Sequence, residues 1–181
     1  MTYVLGVDPG VTSGWCLFGD GKPLEWGQTG KPGQRTTGKD VDGVLNAIVD
    51  NLSRTNLYEL VTLAIEGQFI PDAAGKGDRQ RHMANSALVT ARMAGIWIGI
   101  CQAHGLEVLN MDGIAPVAWR SAVWGGRWTT EQAKRHSVEM AKATWGIRIL
   151  KSHHHVAESC WIASYAWTEL QQRKLDPGAT R

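Results

Sequence analysis

Two acidic residues follow apolar stretches that have the character of buried strands. Asp8 comes directly after the apolar run 3–7, and Glu66 comes directly after a second apolar run, residues 60–65. Sites in open α/β sheets form outside the carboxyl ends of the strands. If these two strands are neighbours, the two carboxylates converge at one edge of the sheet.

A third acid lies inside an apolar helical stretch. Glu158 has almost only apolar neighbours between residues 156 and 163, and His155 precedes it by three positions. Residues three apart share one face of a helix, so the two side chains are expected to point the same way. A carboxylate in such surroundings is costly unless a partner compensates for its burial.

Each of these residues also has a simpler interpretation. Asp8 before a Pro-Gly pair is typical of a turn residue, and Glu66 before a glycine is typical of a solvated strand end. The histidine triplet 153–155 could merely begin a helix, which is the interpretation we favour for its first two members. Glu158 is the hardest to explain in this way, because its neighbours indicate burial.

Three carboxylates and an imidazole, if they converge, could hold hard divalent cations. Mg²⁺ in proteins is bound through one or two carboxylates and keeps several waters. Two such ions ~4 Å apart can activate a water and stabilise the leaving oxygen of a phosphodiester. The set Asp8, Glu66, His155 and Glu158 therefore favours metal-dependent phosphodiester hydrolysis.

The elements that must position these residues predict a mixed α/β sheet with helices on both faces. Strands are expected at 3–7, 14–19, 23–29, 60–65 and 106–111, and helices at 41–52, 83–104, 129–145 and 156–173. Gly19-Asp20-Gly21 favours a hairpin between the second and third strands. Thr129 and Gln132 fit a capping box at the start of the third helix. Residues 30–40 and 71–82 are expected to be polar loops.

Composition is typical of one soluble domain spanning residues 1–181. The net charge of +2 does not by itself indicate a nucleic-acid partner. The three cysteines have no spacing typical of a disulfide framework or a zinc site, which favours a reducing compartment. The N-terminus has no signal-peptide pattern, and the apolar run 93–101 is shorter than the ~20 residues that cross a bilayer. We therefore expect a cytoplasmic protein with no membrane partner.

Two clusters of basic residues could contact phosphates. The first follows the Glu66 segment, and the second is interleaved with tryptophans; the candidate DNA-binding residues are Lys76, Arg79, Arg81, Arg120, Arg127 and Lys134. Basic side chains neutralise phosphates, and aromatic side chains can stack on unpaired bases. A solvated surface is the alternative for the basic residues, and core packing is the alternative for most of the tryptophans.

Four ordered segments resemble the RuvC family of junction resolvases. They are residues 6–14 (GVDPGVTSG), 64–69 (AIEGQF), 115–132, which include APVAWRSAV and GGR, and 155–163 (HVAESCWIA). The resemblance extends from about residue 4 to residue 170. The first segment alone is weak, because actin-like phosphotransferases share an Asp-x-Gly turn.

The resemblance implies a ribonuclease-H-like fold with a mixed five-stranded sheet, and a homodimer that makes paired nicks in four-way DNA junctions. It implies that Asp8, Glu66 and Glu158 are metal ligands, with His155 as a fourth ligand or a water-orienting group. Two Mg²⁺ ions per site are implied. The family commonly has aspartate where this chain has Glu158, a departure that could favour Mn²⁺. Phe69 matches a position that stacks near the junction centre, although a core aromatic is about as good an explanation.

Three other functions fit parts of the pattern. Another ribonuclease-H-like nuclease, acting on flaps, branched DNA or an RNA–DNA hybrid, would keep the same carboxylates. A non-catalytic junction-binding protein would not need all three acids. An actin-like phosphotransferase needs two domains and a second phosphate loop, for which 181 residues leave no room. The small size and the altered last segment favour a phage-encoded enzyme working in the host cytoplasm.

Overall fold

A five-stranded sheet with helices on both faces forms the framework of the protein. The computed structural model describes residues 2–30, 34–53, 61–67, 78–126 and 128–175, without the side chains of 49, 53 and 78–84. The strands are β1 (Tyr3–Asp8), β2 (Gly14–Gly19), β3 (Lys22–Gln28), β4 (Val61–Ile65) and β5 (Glu107–Val108). The helices are α1 (Gly38–Ser53), α2 (Asp78–Ala103), α3 (Pro116–Trp124), α4 (Thr130–Trp145) and α5 (His154–Leu175).

The strand order β3-β2-β1-β4-β5 makes the sheet mixed. The pairs β1–β2 and β2–β3 are antiparallel, whereas β1–β4 and β4–β5 are parallel. The hairpin expected between β2 and β3 is present. Its turn residues Asp20 and Gly21 have φ values of 52° and 77°, the left-handed conformation that tight two-residue hairpins require.

Alternation along the strands divides the core into two layers, because successive side chains of a strand point to opposite faces. Leu5 and Val7 of β1 pack with α1 and α2, whose Trp97 is fully buried. Val4 and the β2 residue Phe18 pack on the other face with α3, α4 and α5. The mixed α/β sheet predicted from the sequence, with helices on both faces, is thereby confirmed.

Helix α5 lies directly on β1 and β2, because two glycines leave room for its backbone. A Cβ on Gly6 would lie 2.4 Å from the carbonyl oxygen of Ser159. A Cβ on Gly14 would lie 2.1 Å from the carbonyl oxygen of His155. These separations are too short for any side chain, so both positions must be glycine for α5 to keep its place.

Several element bounds differ from those expected. Helix α2 begins at Asp78, so residues 78–82, expected to be loop, are helical, while 71–77 lie outside the described residues. Strand β5 has only two residues instead of the six expected at 106–111. Helix α3 was not expected; it begins with a proline at its first turn, where the missing N–H has no cost. The capping box of Thr129 and Gln132 is confirmed.

The apolar stretch of helix α2 is longer than the run 93–101 that was recognised in the sequence. Its stretch Asn85–Ala103, with a mean hydropathy of 1.2, would by length and composition alone suffice to cross a membrane. Only 22% of that stretch is buried against the rest of the described structure. Its isoleucines pack against the core, whereas Leu88, Gly95 and Gly99 lie on the exposed face together with the polar residues Arg92 and Gln102.

Candidate active site

Asp8 and Glu66 stand on adjacent parallel strands at the same edge of the sheet. Val7 of β1 pairs with Ile65 of β4, so the next residue of each strand, an acid in both cases, lies at the same level. Glu66 continues into a single bridge with Ile114 and is 5% exposed. The two carboxylates converge because their strands are neighbours, which is the condition that the sequence left open.

Helix α5 carries the third acid to the same edge. Glu158, 5% exposed, lies one residue before Ser159, whose carbonyl stands against Gly6 of β1. The Glu158 side chain is hydrogen-bonded to Asp8. The structure therefore brings together Asp8, Glu66 and Glu158, which we call the acidic cluster.

Two members of the acidic cluster, Asp8 and Glu158, hold their protons more tightly than free carboxyls do. Burial raises the pKa of Asp8 well above its ordinary value, and the negative charges of Glu66 and Glu158 raise it further. Burial also raises the pKa of Glu158, while Arg120 and the hydrogen bond to Asp8 act in the opposite direction. Burial and the two neighbouring acids thus favour the protonated form of Asp8.

Two consecutive residues of α3 reach into the acidic cluster. The indole Nε1 of Trp119, a fully buried side chain, donates to Glu66 Oε2 at 2.9 Å. Arg120 Nη2 lies 3.4 Å from Glu158 Oε1 and 3.9 Å from Glu66 Oε2. The guanidinium also stands 5.0 Å from the Trp119 ring centroid, within the range of a cation–π contact. Arg120 is therefore the counter-ion of two of the three carboxylates.

His155 faces away from the sheet centre toward the edge strand β3. Its Nε2 lies 3.0 Å from Gln28 Oε1. Burial, with the neighbouring His154 and His153, lowers the pKa of His155 to about 4. The ring is therefore neutral near pH 7, and a Nε2–H that donates to Gln28 leaves Nδ1 with the free lone pair.

The predicted DNA-binding residues are placed unevenly by the structure. Lys134 on α4 pairs with Glu131 at 3.4 Å, and its charge also lowers the pKa of Glu158, so it lies on the side of the acidic cluster. Arg120 lies within the cluster instead of on an open surface. Phe69, Lys76 and Arg127 lie outside the described residues, as do the side chains of Arg79 and Arg81. Contacts of all these residues with DNA stay predictions.

The chemistry of the acidic cluster suits a hard divalent cation. Carboxylate oxygens are the protein ligands that Mg²⁺ prefers, and a dication would compensate for the mutual repulsion of the buried acids. Within the described part of the chain, no three His, Cys, Asp or Glu side chains are arranged as a metal centre. Arg120 occupies that neighbourhood, with one nitrogen close to two carboxylates. The donor set therefore fits a cation, whereas its present arrangement is that of an ion-pair network.

Sequence reasoning missed four residues that build this site. Trp119 was noted only as one of the tryptophans among the basic residues, and Gln28 only as part of a strand, yet each contacts a site residue. Gly6 and Gly14 admit α5 to the sheet. A strand glycine is a signal for close backbone approach, but it does not identify which helix approaches.

Among comparisons with known proteins, those with solved structures identify the fold. No protein-family model and no curated protein matches the chain. A solved structure of T. thermophilus RuvC in complex with Holliday junction substrate is 18% identical, with a TM-score of 0.60, over 95% of this chain and 96% of that one. A Thermus thermophilus RuvC structure is likewise 18% identical, with a TM-score of 0.56, over 94% of this chain and 96% of that one. The chain therefore has the ribonuclease-H-like fold of RuvC, and its acidic cluster stands on β1, β4 and α5 of that fold.

Proposed function

We propose that the protein is a metal-dependent DNA endonuclease that resolves Holliday junctions by paired symmetric nicks. The observation that carries this proposal is the acidic cluster: three buried or partly buried carboxylates, Asp8, Glu66 and Glu158, converge from two parallel strands and one helix. Buried acids with raised pKa values and a specific partner are typical of functional sites. The similar T. thermophilus structure holds a Holliday junction substrate, which supports branched DNA as the substrate class.

Asp8, Glu66 and Glu158 would hold two Mg²⁺ or Mn²⁺ ions, with His155 as a fourth ligand or as a water-orienting group. When bound, such ions supply an activated water and stabilise the leaving oxygen of a phosphodiester. The residues of the chain must hold the metal ligands in the correct orientation. Trp119 fixes the orientation of Glu66 through the 2.9 Å hydrogen bond. Gln28 does the same for His155 at 3.0 Å.

Branched DNA would be bound by the basic side chains around the cluster. Lys134 lies close enough for its charge to lower the pKa of Glu158, and we assign it a phosphate contact near the cluster. The remaining predicted contacts are Phe69, Lys76, Arg79, Arg81, Arg120 and Arg127. Their contribution would weaken as salt rises, because phosphate contacts release counterions.

Paired symmetric nicks require two active sites, which a homodimer would supply. We assign this contact to the exposed face of α2 that carries Leu88, Gly95 and Gly99. Leu88 is 52% exposed, and Gly95 and Gly99, four residues apart, have open space where a Cβ would stand. Small residues at this spacing allow two helices to approach closely. Sedimentation velocity should show a dimer for the natural chain and a monomer for Gly95→Glu, with Gly43→Glu on α1 as the control.

The test of the function is cleavage of a labelled four-way junction beside matched duplex, flap and RNA–DNA hybrid, with Mg²⁺, Mn²⁺ or EDTA. We expect paired nicks confined to the junction, none in EDTA, and none for Asp8→Asn, Glu66→Gln or Glu158→Gln. These variants should still bind the junction. Loss of folding in all three variants would instead favour a structural role for the acids.

The same experiment separates the alternatives. Cutting of the flap or hybrid in preference to the junction would favour another ribonuclease-H-like nuclease with the same metal chemistry. Junction binding without cleavage under any metal condition would favour a non-catalytic binding protein. The convergence of all three acids supports an enzyme over a binding protein, because binding DNA does not require buried carboxylates.

A further inference from the structure

Arg120 is an unusual neighbour for a site that is proposed to bind cations. Its guanidinium approaches Glu158 Oε1 at 3.4 Å and Glu66 Oε2 at 3.9 Å, and both distances involve the same nitrogen, Nη2. These oxygens belong to two of the three carboxylates proposed to bind metal. A divalent cation on the same carboxylates would therefore meet a positive charge a few ångströms away.

The contacts of Arg120 are also incomplete. Its Nε is buried and has no hydrogen-bond partner in the described structure. Strong arginine–carboxylate pairs are usually bidentate, with two parallel N–H···O bonds. Here one nitrogen is shared between two acids, and the closer distance is long for a charge-assisted hydrogen bond. Arg120 thus compensates the charge of the acidic cluster without being locked to it.

The Arg120 side chain is more exposed to solvent than the carboxylates that it faces. The Arg120 side chain is 18% exposed, whereas those of Glu66 and Glu158 are 7% exposed. The ring of Trp119 lies 5.0 Å from the guanidinium and offers an aromatic surface along which it can move. The two N–H groups of Nη2 face the two carboxylates, so release from the cluster would free that nitrogen for the DNA contact predicted for Arg120.

We propose that Arg120 is a displaceable counter-ion, which neutralises the acidic cluster while no divalent cation is bound and leaves the cluster when one binds. This inference rests on the proposed function, since it assumes that the acidic cluster binds metal. It adds that the chain carries its own competitor for the metal site. Metal binding and the release of Arg120 toward solvent are then one event.

The first test measures Mg²⁺ binding by calorimetry in the absence of DNA. Arg120→Met keeps the length and apolar character of the side chain and removes the charge. We expect it to bind Mg²⁺ about tenfold or more tightly than the natural chain, because a like charge near the ligands is gone. Arg148→Met, which removes an exposed arginine after α4, should leave Mg²⁺ affinity unchanged. Equal or weaker binding by Arg120→Met would overturn the inference.

The second test uses the natural chain, so it does not depend on the folding of a variant. The Arg120 Nε–H resonance, identified by its absence in Arg120→Lys, should exchange slowly with water in EDTA because the atom is buried. Saturating Mg²⁺ should accelerate that exchange, and Asp8→Asn should prevent the change. Slow exchange that persists although Mg²⁺ binds would overturn the inference and leave the proposed function standing. If calorimetry finds no Mg²⁺ binding that depends on Asp8, both fail.

Discussion

Trp119 donates its indole N–H to Glu66 Oε2 at 2.9 Å, so a fully buried aromatic side chain fixes the orientation of one carboxylate of the acidic cluster. The Glu66 side chain is only 7% exposed, so little water can replace that donor. Trp119 therefore contributes both to core packing and, through its hydrogen bond, to the orientation of Glu66. Substitutions can separate these two contributions.

Trp119→Phe should preserve most of the packing and remove the hydrogen bond. A buried acceptor that loses its donor costs about 1–3 kcal/mol, and loss of a residue that orients a metal ligand lowers affinity or activity by about 10–100-fold. We expect junction cleavage to fall in that range and the Mg²⁺ requirement to rise. Trp124→Phe is the matched control, because the Trp124 Nε1 has no hydrogen-bond partner among the described residues. Equal losses in the two variants would assign the effect to packing alone.

Stability without metal should decrease as pH rises. Folding raises the pKa of Asp8 and of Glu158 above their ordinary values of 3.8 and 4.5, chiefly through burial. The protonated forms are therefore favoured by the folded state. Their contribution to stability is fully present below those ordinary values and is lost as pH rises through the raised ones.

Melting temperatures recorded between pH 4 and pH 9 in EDTA should show this decrease, at about 2–4 °C for each kcal/mol in a chain of this size. Saturating Mg²⁺ should reverse the trend at the upper end, because a cation binds the ionised carboxylates. Asp8→Asn should flatten the EDTA profile, since its amide does not titrate. A melting temperature that rises steadily with pH in EDTA would show that folding does not raise the pKa values of Asp8 and Glu158.

The fold could be anticipated because its signals are local. Apolar runs and helical spacing predicted the sheet and four of the five helices in the described part of the chain, and the Thr129–Gln132 capping box marked the start of α4. Helix α3 has only nine residues, too few for its periodicity to be recognised. Strand β5 is shorter than its apolar surroundings indicate, because only Glu107 and Val108 pair with β4.

The candidate site could be anticipated only in part, because its supporting contacts join distant segments. The acids themselves were marked by unusual burial or by strand ends. The partner of Glu66 lies 53 residues further along the chain, and the partner of His155 lies 127 residues before it. No local pattern encodes such pairs. Arg120 was recognised as a basic residue, but its position inside the cluster depends on an unexpected helix.

His155→Ala should lower turnover by about 10–100-fold if the ring binds or orients a group at the metal site. Burial and the adjacent histidines lower the pKa of His155 to about 4, so the ring is neutral from pH 6 to pH 9. The loss should therefore be the same factor across that range, measured as single-turnover cleavage. His153→Ala should retain activity. A loss that shrinks as pH falls toward 6 would show that the ring already takes up a proton there.

Gly14→Ala should displace α5 and with it two site residues. The new Cβ would lie 2.1 Å from the carbonyl oxygen of His155, a backbone atom that cannot yield without moving the helix. Overpacking of this kind costs roughly 1–3 kcal/mol, and we expect junction cleavage to fall further than stability alone explains. Gly43→Ala on α1 is the control, because its Cβ meets no atom within 4 Å and alanine favours a helix. The measurements are the melting temperature and the junction-cleavage rate of both variants. If Gly14→Ala were as stable and as active as Gly43→Ala, the close packing of α5 on β2 would not position the site.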